Sequence, residues 1–216
     1  MPGKGTLEAR INQLAESPGP RGHNGDRTEV AEALEIEPLE IPRRKQEPLI
    51  FDTDEHPRET SLEKLAKLPT PFRKNGTVTP ANSSSLSDGG AALVLMKRSK
   101  AEKRGLTPLA LIRNHATHSQ EPQWFTTAPI GAVKKVLDKV GWSNSDIDLY
   151  EINEAFAVVP MIAMKELGLS HDTLNVHGGA CALGHPIGAS GTRILVTLVH
   201  EMVKRQSTYG LASLCI

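Results

Sequence analysis

From residue 84 onward, short apolar runs alternate with longer segments whose apolar residues recur at helical spacing. A continuous apolar run is typical of a strand buried on both faces, whereas a helix buried on one face repeats every three to four residues. The runs predict strands over 91–96, 109–114, 147–152, 174–176 and 211–216. The spacing predicts helices over 99–104, 130–140, 154–167 and 192–204. This alternation favours an α/β fold with a mixed sheet covered by helices.

The first part of the chain has a different texture. Residues 1–34 are polar and rich in proline and glycine, so we expect them to be poorly ordered apart from short helices at 7–15 and 29–34. Prolines punctuate residues 35–83, which predicts extended or irregular structure with one short helix over 61–68. At the other end, the last predicted strand stops in mid-run at residue 216, and we expect a chain that is truncated there.

Composition argues against several classes of partner. The 216 residues carry a formal net charge of +0, which gives no indication of nucleic acid or an anionic membrane as a partner. No apolar run approaches the roughly 20 residues that a membrane span needs, and no secretory signal is visible. The two cysteines, Cys181 and Cys215, do not indicate a disulfide-stapled secreted domain. We therefore predict a cytoplasmic protein.

Residues 178–191 read GGACALGHPIGASG and place one histidine, His185, in a glycine-rich loop before a predicted helix. Glycine allows the main chain to approach a ligand closely, and packing alone does not explain so many in one loop. The amide groups at the start of a helix favour negative charge. The combination predicts chemistry on an anionic or oxyanion-forming substrate.

Two further candidates lie at predicted carboxyl ends of strands, where open α/β sheets bind ligands: Asn153, with its neighbour Glu154, and Cys215. A cysteine near a histidine can act as a nucleophile or as an acid and base, and an asparagine can hold a water or donate to an oxyanion. Structural roles stay open as well, because Cys215 would fit a buried core and Asn153 would fit a helix N-cap.

Two cofactor hypotheses are weak. His177, Cys181 and His185 would lie on one face of a helix and could bind a metal, but the glycines and Pro186 argue against a helix there. The glycine pattern is not that of a dinucleotide-binding loop either. We predict neither a metal nor a separate cofactor.

Several strings resemble the C-terminal half of the thiolase family. They are NEAFA at 153–157, the glycine-rich segment at 178–191 and LCI at 214–216, with supporting likeness in DEHPR at 54–58 and GTVTPANSSSLSDGGAA at 76–92. The resemblance runs from about residue 35 to residue 216 and implies an incomplete thiolase-like fold. It also implies acyl transfer through a cysteine thioester, in which two acetyl-CoA condense to acetoacetyl-CoA or a 3-ketoacyl-CoA is cleaved.

The resemblance also implies roles for individual residues. His185 would donate to the thioester oxygen, Asn153 would hold a water that completes the oxyanion hole, and Cys215 would move the α-proton. Coenzyme A and acyl-CoA would be the ligands, and the whole protein would form homo-oligomers. The residues expected to bind coenzyme A are Ser84, Arg58, Phe125 and Phe156; an ordinary solvated charge is the alternative for Arg58.

The likeness divides the chain into four parts. Residues 1–34 match nothing, 35–83 resemble a remnant of the loop domain, 84–107 the end of the N-terminal core, and 108–216 a C-terminal domain truncated at its last strand. The nucleophilic cysteine of the family has no counterpart, because Cys181 occupies a variable apolar position. We therefore expect this chain alone to be inactive and poorly soluble. The alternative is a non-catalytic thiolase-like fragment that still dimerises or binds coenzyme A weakly.

Overall fold

The computed structural model describes residues 37–58 and 60–215; the helices predicted at 7–15 and 29–34 lie outside them. The first described elements are two short antiparallel strands, β1 (Leu39–Ile41) and β2 (Leu49–Phe51), paired with Leu39 opposite Phe51. Helix α1 (Leu62–Ala66) follows, and the Ser61 side chain caps it by accepting a hydrogen bond from the Lys64 N–H. The short helix predicted over 61–68 is therefore confirmed.

The core forms around two parallel strands, β3 (Leu149–Ile152) and β4 (Gly210–Ser213), paired with Ile152 opposite Ser213. Helix α2 (Arg98–Lys103) precedes this region. Helices α3 (Ala128–Val140), α4 (Val158–Leu167), α5 (Ala180–Leu183) and α6 (Ile187–Lys204) belong to it. Three 3-10 turns, Pro122–Thr127, Asn144–Asp146 and His171–Thr173, connect these elements.

Helix α3 shows how the predicted apolar face is used. Pro129 lies in its first turn, where a missing N–H costs nothing, and Val133 and Leu137 are buried one helical turn apart. They pack in one cluster with Ile152 of β3 and Val159 of α4. Helix α6 lies against both parallel strands, so the pair is covered by helices as expected.

Two predicted strands are wrong. Residues 91–96 and 109–114 have no regular secondary structure, and apolar side chains within them are exposed, with Leu95 at 70%. A continuous apolar run forms a buried strand only when other strands pair with it and helices cover it. Within residues 37–58 and 60–215, no strand is paired with either run.

The strand predicted over 174–176 is reduced to one bridge, between Tyr150 and Leu174. Asn175 turns the chain with a φ of 48°, which ends any strand. Its side-chain amide then replaces the backbone ladder. The Ile152 N–H donates to Asn175 Oδ1 at 2.8 Å, and Asn175 Nδ2 donates to the Ile152 carbonyl at 2.8 Å.

Two helices begin four or five residues from their predicted starts, and one helix was not predicted. Helix α4 begins at Val158 rather than at residue 154, because the backbone just before it pairs with the 82–84 segment: the Ser84 N–H donates to the Ala155 carbonyl, and the Ala157 N–H donates to the Asn82 carbonyl. Helix α6 begins at Ile187, five residues earlier than predicted, and α5 occupies residues placed in a loop. Gly184 separates α5 from α6 with a φ of 91°, a conformation that ends a helix. In the described part of the chain, no helix is long and apolar enough to cross a membrane.

Candidate active site

Two predicted site residues leave the parallel strands at the same edge. Asn153 follows β3, and its N–H donates to the Ser213 carbonyl at the end of β4 at 2.9 Å. Cys215 comes two residues after that carbonyl. The carboxyl ends of parallel strands are where α/β sheets place ligands. The parallel pairing thus brings both candidates to one end of the sheet.

His185 joins this edge through its imidazole ring. Its Nε2 lies 3.3 Å from Asn153 Nδ2, and its Nδ1 lies 2.6 Å from Ser190 Oγ. Burial, followed by the charge of Arg193, lowers the pKa of His185 below its ordinary 6.5. The ring is therefore neutral at neutral pH, with one protonated nitrogen.

Ser190 decides which nitrogen that is. Its Oγ is also 3.0 Å from the Pro186 carbonyl, and a hydroxyl has only one proton to donate. When the proton points at Pro186, the ring must donate from Nδ1, and Nε2 accepts from the Asn153 amide. When it points at Nδ1, Nε2 carries the ring proton and faces Asn153 Nδ2, which is also a donor. His185 therefore becomes a donor to an oxygen in the site when the Ser190 hydroxyl rotates and the Asn153 amide turns its Nδ2 away.

Asn153 carries a polar atom that is ready for a ligand. The residue is 1% exposed, and its Oδ1 is buried without a hydrogen-bond partner among residues 37–58 and 60–215. An unpaired buried oxygen costs free energy unless a water or a ligand satisfies it. The N-cap role considered for Asn153 is not observed, because α4 begins five residues later.

Glu154 holds the glycine-rich segment in place. Its Oε2 accepts a hydrogen bond from the Cys181 N–H at 3.0 Å, near the start of α5. A Cβ on Gly179 would lie 2.1 Å from Glu154 Cδ, so only glycine allows this approach. Glu154 and Gly179 each belong to a motif that is visible in the sequence, but no pattern in the sequence indicates that these two residues are in contact.

Neither cysteine is poised as a thiolate. Burial, then the charge of Glu154 and a hydrogen bond to it, raises the pKa of Cys181 to about 12. Burial also raises the pKa of Cys215, which packs in the core cluster around β3. The environment of Cys181 therefore argues against a role as nucleophile. Cys215 belongs to the buried core and also lies at the edge of the sheet where Asn153 lies, so both positions considered for it are occupied.

The residues predicted to bind coenzyme A fall into two groups. Ser84 and Phe156 are close, because residues 83 and 156 form a bridge and Ser84 Oγ donates to the Ala155 carbonyl at 3.0 Å. Phe125 meets Phe156 edge to face, with ring centroids 6.2 Å apart. Arg58, by contrast, is exposed.

The three residues considered as metal ligands face different partners. His177 Nε2 is 2.5 Å from Glu201 Oε2, His185 contacts Asn153 and Ser190, and Cys181 lies against Glu154. In the described ranges, no group of three or more histidine, cysteine or acidic side chains is arranged to hold a metal.

Two family models match this chain. A model of the thiolase C-terminal domain matches residues 106–216, and a model of the thiolase N-terminal domain matches residues 25–99. The chain belongs to the thiolase family. This confirms the predicted family, and the incomplete thiolase-like α/β fold is confirmed by the solved structures below. The boundaries predicted at residues 34, 83 and 107 stay predictions.

Curated relatives of this chain carry acyltransferase names. The acetyl-CoA acetyltransferase of Pseudomonas aeruginosa is 52% identical over 183 residues, which cover 84% of this chain and 47% of the relative. The acetyl-CoA acetyltransferase of Chromobacterium violaceum is 51% identical over 183 residues, with the same coverage. The family is thus one of acyltransferases, and the chain spans about half the length of the curated relatives it matches.

Solved structures give the same result. The Bacillus anthracis acetyl-CoA acetyltransferase superposes with a TM-score of 0.79 at 44% identity, covering 88% of this chain and 48% of that structure. Human mitochondrial 3-ketoacyl-CoA thiolase in complex with CoA gives 0.70 at 38% identity, covering 77% and 43% respectively.

Proposed function

We propose that this chain provides the oxyanion-stabilising and proton-transfer part of a thiolase site that acts on coenzyme A thioesters. The reaction would be the condensation of two acetyl-CoA to acetoacetyl-CoA, or the reverse thiolysis of a 3-ketoacyl-CoA. The observation that carries this proposal is the pairing of His185 with a buried Asn153 whose Oδ1 has no described partner. The names of the relatives support it.

His185 would act as a donor. With the Ser190 proton turned toward Nδ1, the Nε2–H would point at the thioester oxygen, where negative charge develops when the α-proton leaves. Asn153 Oδ1 would hold a water that donates to the same oxygen. The lowered pKa of His185 suits this role, because a neutral ring donates one hydrogen bond without giving up its proton.

Cys215 would exchange the α-proton. Its place at the end of β4 puts it at the same edge as Asn153. Its raised pKa means that it rests as a thiol, which suits return of a proton to a carbanion. Removal of a proton would first require the thiolate, which a bound polar substrate would favour over the dry core.

The ligand would run along the surface formed by residues 83–84 and the two phenylalanines. Phe125 and Phe156 offer an apolar wall, and Arg58 would meet a phosphate. We propose acyl-CoA and coenzyme A as the ligands, with no separate cofactor. Cytoplasmic location and homo-oligomers of the whole protein also stay predictions.

We propose that this chain alone does not turn over. Neither cysteine offers a nucleophilic thiolate, since burial raises the pKa of both. The second candidate function, a non-catalytic fragment that binds coenzyme A or dimerises, is favoured by exposed apolar side chains near the site. Leu86 is 92% exposed beside His185, and Ile187, two residues after His185, is also exposed.

Calorimetric titration of acetyl-CoA into the purified chain tests ligand binding, together with a thiolysis assay on acetoacetyl-CoA. We expect binding without turnover, and weaker binding in Phe156→Ala. Phe72→Ala is the matched control, because Phe72 is 81% exposed and takes no part in the contact between Phe125 and Phe156. Turnover would refute the proposed inactivity, and equal affinities for the two variants would refute the proposed ligand surface.

A further inference from the structure

His56 lies in the DEHPR motif, of which the proposed chemistry uses only Arg58. The residue is half-buried, and its N–H donates to Asp54 Oδ1 at 2.9 Å, which fixes the loop around it. Its ring Nδ1 is 2.6 Å from the Ala182 carbonyl, and its Nε2 is 2.5 Å from Ser85 Oγ. The ring thus bridges two segments that are distant in the chain.

The chemistry of the partners fixes the direction of each hydrogen bond in the neutral ring. A carbonyl oxygen can only accept, so His56 donates from Nδ1 to Ala182. Nε2 is then an acceptor, and the Ser85 hydroxyl must donate to it. Because the Ser85 proton is used in that bond, Ser85 Oγ can only accept from Ser87 Oγ at 3.0 Å, which is nearer to Ser87 Oγ than its other acceptor, the Ser85 carbonyl at 3.4 Å. The result is a series of hydrogen bonds that all donate in one direction, from Ser87 through Ser85 and His56 to Ala182.

These hydrogen bonds hold the two segments that flank His185, the candidate donor. The Ser85 carbonyl accepts the backbone N–H of His185 at 3.3 Å, and Leu86 forms a bridge with His185. Ser87 packs against Gly184, where a Cβ would lie 2.4 Å from its Oγ. Ala182, held by His56, lies three residues before His185 on the other side.

A shallow cavity of about 330 Å³ opens at the same place, and both Ser87 and His185 line it. The series of hydrogen bonds therefore starts at Ser87, in the wall of the cavity that His185 also lines. His56 itself is not among the residues lining that cavity. Its influence on a ligand there would pass through the backbone of the segments that it joins.

We propose that His56 is a positioning residue, which clamps the 83–88 segment onto the 180–185 segment and thereby fixes the backbone of His185. The consequence for catalysis rests on the proposed function, but the clamp itself does not. Loss of the ring leaves the Ala182 carbonyl and the Ser85 hydroxyl without their shared partner, so the His185 N–H···Ser85 hydrogen bond opens more often.

Amide hydrogen exchange and ring ¹⁵N spectra of the purified chain test this without any ligand. In His56→Ala, we expect the His185 amide to exchange about tenfold faster, a factor that loss of the two hydrogen bonds of the ring can produce. The ¹⁵N shifts of the His185 ring should change with it, because its orientation toward Asn153 and Ser190 changes. The amide of Tyr150 in β3 should keep its rate.

Three other variants complete the experiment. Ser85→Ala keeps His56 and its bond to Ala182 but removes the hydroxyl, and should also speed exchange at His185. His56→Gln retains an acceptor for Ser85 and should restore part of the protection. His171→Ala removes an exposed histidine and should change nothing at His185.

Unchanged His185 exchange and ring shifts in both His56→Ala and Ser85→Ala would overturn the proposal. So would an equal acceleration at Tyr150 and His185, since that would show general destabilisation. Failure of acetyl-CoA to bind would refute the proposed function and leave these measurements unaffected.

Discussion

Replacing Gly184 with alanine should destabilise the chain through two separate effects. Its φ of 91° and ψ of 164° lie in a region that is essentially restricted to glycine, and a side chain there costs about 1–3 kcal/mol. The added Cβ would also lie 2.4 Å from Ser87 Oγ and 3.0 Å from Ser87 Cβ, so Ser87 must move. We expect a loss of unfolding free energy of at least about 2 kcal/mol.

Gly188→Ala is the matched control, four residues further along. Gly188 lies in helix α6, and a Cβ there would have nothing within 4 Å. Alanine in a helix is more favourable than glycine by about 0.5–1 kcal/mol, so this variant should gain stability. The two substitutions make the same chemical change and should have opposite signs.

Urea denaturation followed by circular dichroism measures the unfolding free energy of both variants. The midpoint should fall for Gly184→Ala and rise for Gly188→Ala, with similar slopes. A double-mutant cycle with Ser87→Gly then separates the two effects, because removing that side chain relieves the contact and leaves the backbone conformation unchanged. Equal midpoints for the two alanine variants would refute the reasoning. A cost of Gly184→Ala that is the same in both backgrounds would refute the contact with Ser87.

Three further predictions concern charge and thiol chemistry. Burial raises the pKa of Glu151 to about 8 despite the opposing charge of Arg193, so the protonated form stabilises the fold. That contribution is complete below the ordinary pKa of 4.5 and is lost as the pH rises through about 8; Glu151→Gln should flatten this fall in urea titrations, and an unchanged fall would contradict the assignment. Cys181 and Cys215 should react with iodoacetamide at least about tenfold more slowly in the folded than in the urea-unfolded chain, because burial raises both pKa values; similar rates would count against it. Arg193→Met should raise the pKa of His185 in an NMR titration, since the guanidinium disfavours a second positive charge; no change would leave burial as the whole cause.

The sequence predicts best where one element carries its own pattern. The apolar face of α3, with a proline in the first turn, indicates a helix whatever surrounds it, and Val133 and Leu137 are buried as predicted. The apolar run at 147–152 also forms its strand. By contrast, the run at 91–96 looks as apolar as β3 but remains exposed, because strand formation depends on neighbours that the run itself does not encode.

The candidate site was predicted in part for the same reason. Asn153, His185 and Cys215 follow from motifs and from the ends of predicted strands. His56 and Glu154 act across sequence separations of 126 and 27 residues, on Ala182 and Cys181 respectively. No local periodicity reports such contacts, so their partners become visible only in the structure. The roles of all seven predicted site residues stay predictions.

The parallel pairing of β3 with β4 has a consequence for the order of folding. Neighbouring contacts at the strand starts, such as the hydrogen bond from the Tyr209 N–H to Asp148, join residues 61 positions apart. Closing so long a loop costs conformational entropy before any contact is gained, and pairings of this kind form slowly. Helices α4, α5 and α6 all lie inside that loop. Asn153 and Cys215 can therefore become neighbours only at the step that closes the crossover.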